Sequence, residues 1–171
     1  MSLEHSQPEL VALAKRLGES LLAHNYLLAT AESCTGGGLA YAITAVPGSS
    51  SWFDRTVVSY SNDAKKDLLG VSQATLDSEG AVSTVTAIEM AEGLLERSPA
   101  DITVAITGIA GPDGGTPDKP VGTVCFAWSL RHGKTSSSCV RFEGDRDKVR
   151  SLAILMAMQG LLDMLEQSRS D

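Results

Sequence analysis

Aromatic residues are scarce in this sequence, at 5% of 171 residues, and histidine and cysteine number three each. His5, His24 and His132 fall near the terminus, at a helix end and in a turn, so a Ser-His-Asp triad has no support. Cys34, Cys125 and Cys139 are odd in number and lack zinc-type spacing, which suggests neither a disulfide framework nor a metal knuckle and points to a reducing compartment. Basic residues are also few. Against 21 Asp and Glu there are 14 Lys and Arg, and the formal net charge of -7 argues against direct contact with nucleic acid or an anionic membrane. No apolar run approaches the roughly 18 residues a membrane span needs, and Met1-Ser2-Leu3-Glu4-His5 carries no basic segment leading into one. A cytoplasmic protein is expected. Neither paired carboxylates for glycoside chemistry nor a metal-ligand cluster is visible, so a mechanism without metal or cofactor is preferred.

What is present reads as one globular domain over residues 1–171: 43% apolar and 20% charged residues, with no internal repeat, linker or low-complexity segment. Leu10, Leu13, Leu17 and Leu21 recur at helical spacing after Ser6, a candidate cap, and Pro8, a candidate first-turn proline. Residues 26–31 form a short apolar run entering a glycine turn, and 39–46 read as a helix stopped by Pro47-Gly48. Residues 55–60 alternate like a strand, 62–69 and 72–79 read as short helices, and Ser83 can cap a helix through Leu94. A buried-type strand at 101–107 runs into a glycine-rich loop. Strands at 121–130 and 134–142, joined by Arg131-His132-Gly133, precede a last helix that opens at Gly144-Asp145 and runs through Leu165. Alternating elements with one late hairpin predict an α/β fold, a three-layer α/β/α sandwich with a mixed, largely parallel sheet.

In such sheets ligands collect at the carboxyl ends of the strands. Ser33 falls there, at a tight strand-to-helix turn where its hydroxyl is presented and following backbone N–H groups converge. Taken alone, Ser33 or Thr35 is more simply a helix cap, with the glycines easing the turn. With histidine excluded, lysine is the available base, and Lys65 and Lys66 follow Tyr60 closely; adjacent lysines are more commonly a solvated helix face. A lysine base has an electrostatic requirement. At a pKa of about 10.4 it is neutral in roughly one molecule in 2,500 at pH 7. Lowering that pKa by about three units takes roughly 4 kcal/mol of destabilisation of the cation. Cys34 is a competing nucleophile without an evident partner. The Gly108–Gly115 stretch lacks the Lys-Ser/Thr of a Walker phosphate loop, whereas Arg146 sits in the first turn of a helix, where free N–H groups favour an anion.

Several segments in order, Ala31-Glu32-Ser33-Cys34-Thr35-Gly36-Gly37, Pro47-Gly48-Ser49-Ser50, Tyr60-Ser61-Asn62, Ala81-Val82-Ser83, Gly108-Ile109-Ala110-Gly111-Pro112-Asp113-Gly114-Gly115, Pro120-Val121-Gly122-Thr123 and Phe142-Glu143-Gly144-Asp145-Arg146, resemble the CinA C-terminal domain family over nearly the whole chain. The resemblance implies an amidohydrolase that converts nicotinamide mononucleotide and water to nicotinate mononucleotide and ammonia, in pyridine nucleotide recycling. It implies a catalytic set of Ser33, Tyr60 and Lys65, with Lys66 outside the matching position and Tyr60 in the hydrogen-bond network of Lys65. Gly36 and Gly37 are then the expected oxyanion donors, and Thr35, Asn62, Thr107, Gly108, Ala110, Gly111 and Arg146 further substrate contacts. The family habit also implies a homodimer, and an apolar last helix fits either a dimer or packing within one subunit. Longer relatives carry an additional domain resembling molybdopterin-binding proteins, for which 171 residues leave no room. The rival expectation is a non-catalytic module associated with competence or DNA uptake, which at this charge needs a protein partner.

Overall fold

The computed structural model describes residues 3–168, with side chains from Pro8 onward. The elements run α1 (Leu3–His24), β1 (Leu28–Glu32), α2 (Gly38–Thr44), a 3-10 turn (Ser49–Ser51), β2 (Phe53–Val58), α3 (Asn62–Leu69), α4 (Gln73–Glu79), α5 (Thr84–Glu96), β3 (Ile102–Gly108), β4 (Thr123–Leu130), β5 (Thr135–Arg141) and α6 (Arg146–Ser168). The sheet order is β2-β1-β3-β4-β5. Pairs β1–β2 and β1–β3 are parallel, while β3–β4 and β4–β5 are antiparallel. Four of the five strands therefore point the same way, and β4 alone is reversed because a tight turn joins it to β5.

The two faces of the sheet carry different residues. Leu28, Ile102, Val104, Ile106, Phe126 and Trp128 meet the apolar sides of α1 and α6 in the larger core cluster. Ala29, Ala31, Ala105, Cys125 and Ala127 face the opposite way, and their small size brings α5 close to the sheet, where Thr103 Oγ1 donates to Ala91 O at 2.8 Å. Helices on both faces bury β1 along its whole length, and the edge strands β2 and β5 alone stay half-exposed. Most apolar positions of α6, including Met158, Leu161 and Leu165, pack inside the subunit, while Leu152, Leu155 and Met156 stay half-buried along an open groove.

Three readings from sequence are corrected. Helix α1 begins at Leu3, so Pro8 lies inside the helix and not in its first turn, and the cap expected at Ser6 falls outside the described side chains. Strand β1 starts later than expected and ends on Glu32, an acid that composition alone would not place in a fully buried strand. Cys125 and Cys139 form a disulfide between β4 and β5, with Cα atoms 4.1 Å apart. Their separation of 14 residues gives no hint of pairing, but the hairpin register sets them directly opposite. No helix among the described residues is long and apolar enough to cross a membrane.

Gly93 is where α5 touches the end of α3. A Cβ there would collide with the Leu69 carbonyl. Gly93→Ala should therefore destabilise the fold despite its better helix propensity, by about 1–3 kcal/mol. In a thermal melt that is a fall of roughly 2–10 °C for a chain of this size.

Candidate active site

A cleft of about 280 Å³ opens at the carboxyl ends of β1, β2 and β3. Its walls include Ser33, Cys34, Tyr60, Asn62, Lys65, Thr107, Gly108, Ala110, Gly111 and Arg146. Ser33 follows β1 directly, and its N–H still bonds the Ile106 carbonyl at 3.0 Å, so the serine is held to the end of the sheet. Lys65 comes from the first turns of α3, where Ser61 Oγ caps the helix by accepting from Ala64 N–H.

Lys65 Nζ lies 3.1 Å from Ser33 Oγ and 3.0 Å from the Ser59 carbonyl oxygen. The side chain is buried, with the residue 2% exposed. Burial lowers its pKa from the usual 10.5, while a Cys34 thiolate would oppose the change. The hydrogen-bond count points the same way. An ammonium offers three donors, whereas among the described residues Lys65 Nζ is bonded to two acceptors and neither is a carboxylate. A neutral amine fits better, with one N–H on the Ser59 carbonyl and its lone pair toward the Ser33 hydroxyl. Such a pair can take a proton from the serine and create a nucleophile. Cys34 is a poor rival, since burial pushes its thiol up to about 11.

Glu32 holds the turn that presents Ser33. Its carboxylate is fully buried on the far face of the sheet. Oε2 accepts from Thr35 Oγ1 at 2.7 Å, Gly37 N–H at 2.9 Å and Leu39 N–H at 3.1 Å, and Oε1 accepts from Ala40 N–H at 2.9 Å. The acid thus occupies the amino end of α2, where free amides and the helix dipole favour a negative charge. Gly36 and Gly37 meanwhile adopt φ of 58° and 93°, values that L-residues with side chains rarely take.

This arrangement revises part of the expected site. The Gly36 N–H is spent on Ser33 O and the Gly37 N–H on Glu32, so neither is free to serve as an oxyanion donor. Thr35, Gly36 and Gly37 do not line the cleft; Thr35 is buried against Glu32, and the two glycines border a separate apolar cavity beside Arg150 and Ile154. Tyr60 does not bond Lys65. Its ring is 62% exposed, and its hydroxyl accepts from Arg146 Nη2 at 3.0 Å. Arg146, at the start of α6, also donates from Nη1 to the Gly111 carbonyl at 2.8 Å, which ties the glycine loop to the cleft. Thr107 Oγ1 donates to Ala81 O at 2.7 Å. Sequence reasoning left open whether Glu32 orients neighbouring groups and gave no role to Asp113, which lies on the cleft wall. An acid closing an apolar strand just before a glycine turn was the available signal for Glu32.

Fold and cleft together define an α/β sandwich of the CinA C-terminal domain class. The sequence model of that family matches residues 10–165, and the chain belongs to it. It is 47% identical over 160 residues to the nicotinamide-nucleotide amidohydrolase PncC of Escherichia coli K12, covering 94% of this chain and 97% of that protein. A protein of the same name from Pseudomonas putida is 47% identical over 155 residues, covering 91% and 96% respectively. Among solved structures, the competence/damage inducible protein CihA of Agrobacterium tumefaciens superimposes with a TM-score of 0.89 at 43% identity, covering 92% of this chain and 95% of its own.

Glu32→Ala removes the acceptor from three backbone amides and the Thr35 hydroxyl. The expected cost is roughly 3–5 kcal/mol. Thermal melting should record it as a fall of roughly 6–20 °C.

Proposed function

We propose that this chain is an amidohydrolase that removes ammonia from the carboxamide of nicotinamide mononucleotide, leaving nicotinate mononucleotide for pyridine nucleotide recycling. The observation that carries the reading is the buried Lys65 amine 3.1 Å from Ser33 Oγ, in a family whose similar members are named for that activity. Lys65 accepts the Ser33 proton as Oγ attacks the carboxamide carbon. The C–N bond breaks as Lys65 returns that proton to the departing nitrogen, which leaves as ammonia. Water then attacks the acyl ester as Lys65 takes its proton; Lys65 passes that proton to the departing Ser33 Oγ, and the product acid ionises to the nicotinate carboxylate.

With Gly36 and Gly37 committed elsewhere, the amide of Cys34, which lines the cleft, is the proposed oxyanion donor of the turn. Arg146, with Tyr60 oriented against it, is the proposed partner of the substrate phosphate. Tyr60 thereby acts on substrate placement through Arg146. Asn62, Thr107, Gly108, Ala110 and Gly111 are the proposed contacts to the rest of the nucleotide. A cytoplasmic setting and a homodimer go with this reading.

The folded protein should release ammonia from nicotinamide mononucleotide, and Ser33→Ala should abolish release; no ammonia from folded wild-type protein sinks the proposal. Because only the neutral amine can act as base, kcat/KM should rise with pH through the Lys65 pKa, at a midpoint below 10.5. Arg146→Ala should raise KM for the mononucleotide by roughly 10- to 100-fold and leave turnover of the phosphate-free riboside nearly unchanged.

A further inference from the structure

Beside Lys65 lies a buried polar atom that the reaction above does not use. Ser59 is fully buried. Its N–H donates to the Glu32 carbonyl at 2.8 Å and its own carbonyl accepts from Lys65 Nζ at 3.0 Å, yet its Oγ has no hydrogen-bond partner among the described residues. A buried hydroxyl left unpaired has given up its bonds to water for nothing, so such atoms in a folded protein call for a reason.

Strand parity gives the direction of this hydroxyl. Val57, two residues earlier, packs with Ala29, Ala31 and Leu69 on the face that α3 covers. The ladder continues through the Ser59 N–H, so alternation sends the Ser59 side chain to the same face. Ser33 follows Glu32, whose side chain goes to the α2 face, and it too emerges on the α3 side. Neighbouring strand ends thus bring two serine hydroxyls to the face from which Lys65 arrives.

The amine needs different partners before and after it takes a proton. Neutral, it places one N–H on the Ser59 carbonyl and turns its lone pair toward the Ser33 hydroxyl, and its second, uncharged N–H costs little to leave unbonded. Protonated, it has three N–H groups, while the Ser33 oxygen is being converted to an ester oxygen, a weak acceptor. We propose that the Ser59 hydroxyl is the acceptor held for the protonated state of Lys65, a positioning residue that bonds the ammonium formed when Ser33 gives up its proton. The inference rests on the serine–lysine reading of the site.

The surroundings leave this task to a neutral group. Cys34 faces Lys65 from the turn after β1, and burial keeps its thiol protonated at neutral pH. Glu32 is taken up by the amino end of α2. From α6, Arg146 is bonded to Tyr60 and Gly111, and Asp113 joins the cleft wall from the glycine loop. On α5, which packs against α3, Glu89 is bonded to Ser72 and Thr75, Glu92 to Thr135, and Glu96 is paired with Arg97. The Ser59 hydroxyl favours the cation and so limits how far burial depresses the Lys65 pKa.

The test follows the Lys65 amine directly, by NMR on protein carrying ¹³Cε-labelled lysine, with its resonance identified by its loss in Lys65→Met. In Ser59→Ala the titration midpoint should fall by about one pH unit relative to wild type, and in Ser59→Thr, which keeps the hydroxyl, it should stay near the wild-type value. With nicotinamide mononucleotide, kcat of Ser59→Ala should drop about 10-fold at little change in KM, and the acid limb of kcat/KM should move down with the NMR midpoint. Identical midpoints in wild type and Ser59→Ala, or a Ser59→Thr midpoint displaced like that of Ser59→Ala, overturn the assignment. If the midpoints separate as expected while wild-type protein releases no ammonia, the amidohydrolase reading fails and the bond between Ser59 and the Lys65 cation stands.

Discussion

Everything at the catalytic end of this sheet depends on where the Glu32 carboxylate sits. One buried acid, at the last residue of β1, accepts from a threonine hydroxyl and three amides at the amino end of α2. A buried carboxylate is tolerable only when its oxygens are so occupied. The bonds that satisfy it also draw the Ser33–Gly37 turn tight and fix where α2 starts. The same bonds withdraw the Gly37 amide from the cleft, while the turn itself takes up that of Gly36. Glycines near a nucleophile are therefore not automatically its oxyanion hole; here they let the backbone bend, with positive φ at both.

Across the sheet from that acid, electrostatics of the opposite kind prevail. The chain carries a formal charge of -7, yet no carboxylate among the described residues is bonded to Lys65. An ion pair would favour the cation. Burial without a counter-ion does the reverse, lowering the lysine pKa. Glu32 and Lys65 thus lie on opposite faces of adjacent strand ends, kept apart while both contact the segment that carries Ser33. Arg146 remains at the mouth of the cleft, exposed and bonded to Tyr60.

The scaffold makes this separation possible through the sizes of its residues. Large aliphatic and aromatic side chains fill the space under α1 and α6, and alanines on the reverse face let α5 approach. Because α5 touches α3 at Gly93, the depth of α5 also sets how far the Lys65-bearing helix lies from the strand ends. Packing on one face thus bears on the distance between Lys65 Nζ and Ser33 Oγ.

Much of this was legible in the residues themselves. Helical spacing, glycine turns and the late hairpin sufficed for an α/β sandwich with its ligand site at the strand ends, because periodicity and turn chemistry are local properties of the chain. The ordered motifs singled out Ser33, Tyr60 and Lys65, three residues that the cleft brings together. Contacts between distant segments were not legible. The bond from Arg146 to Tyr60 spans 86 residues, the approach of Lys65 to Ser33 spans 32, and the Cys125–Cys139 pair follows from hairpin register. Sequence determined which groups were available and which elements carried them. Tertiary structure alone decided which amides were already spent, which hydroxyl was left unpaired and which amine was stripped of water, because each depends on neighbours that only the folded chain assembles.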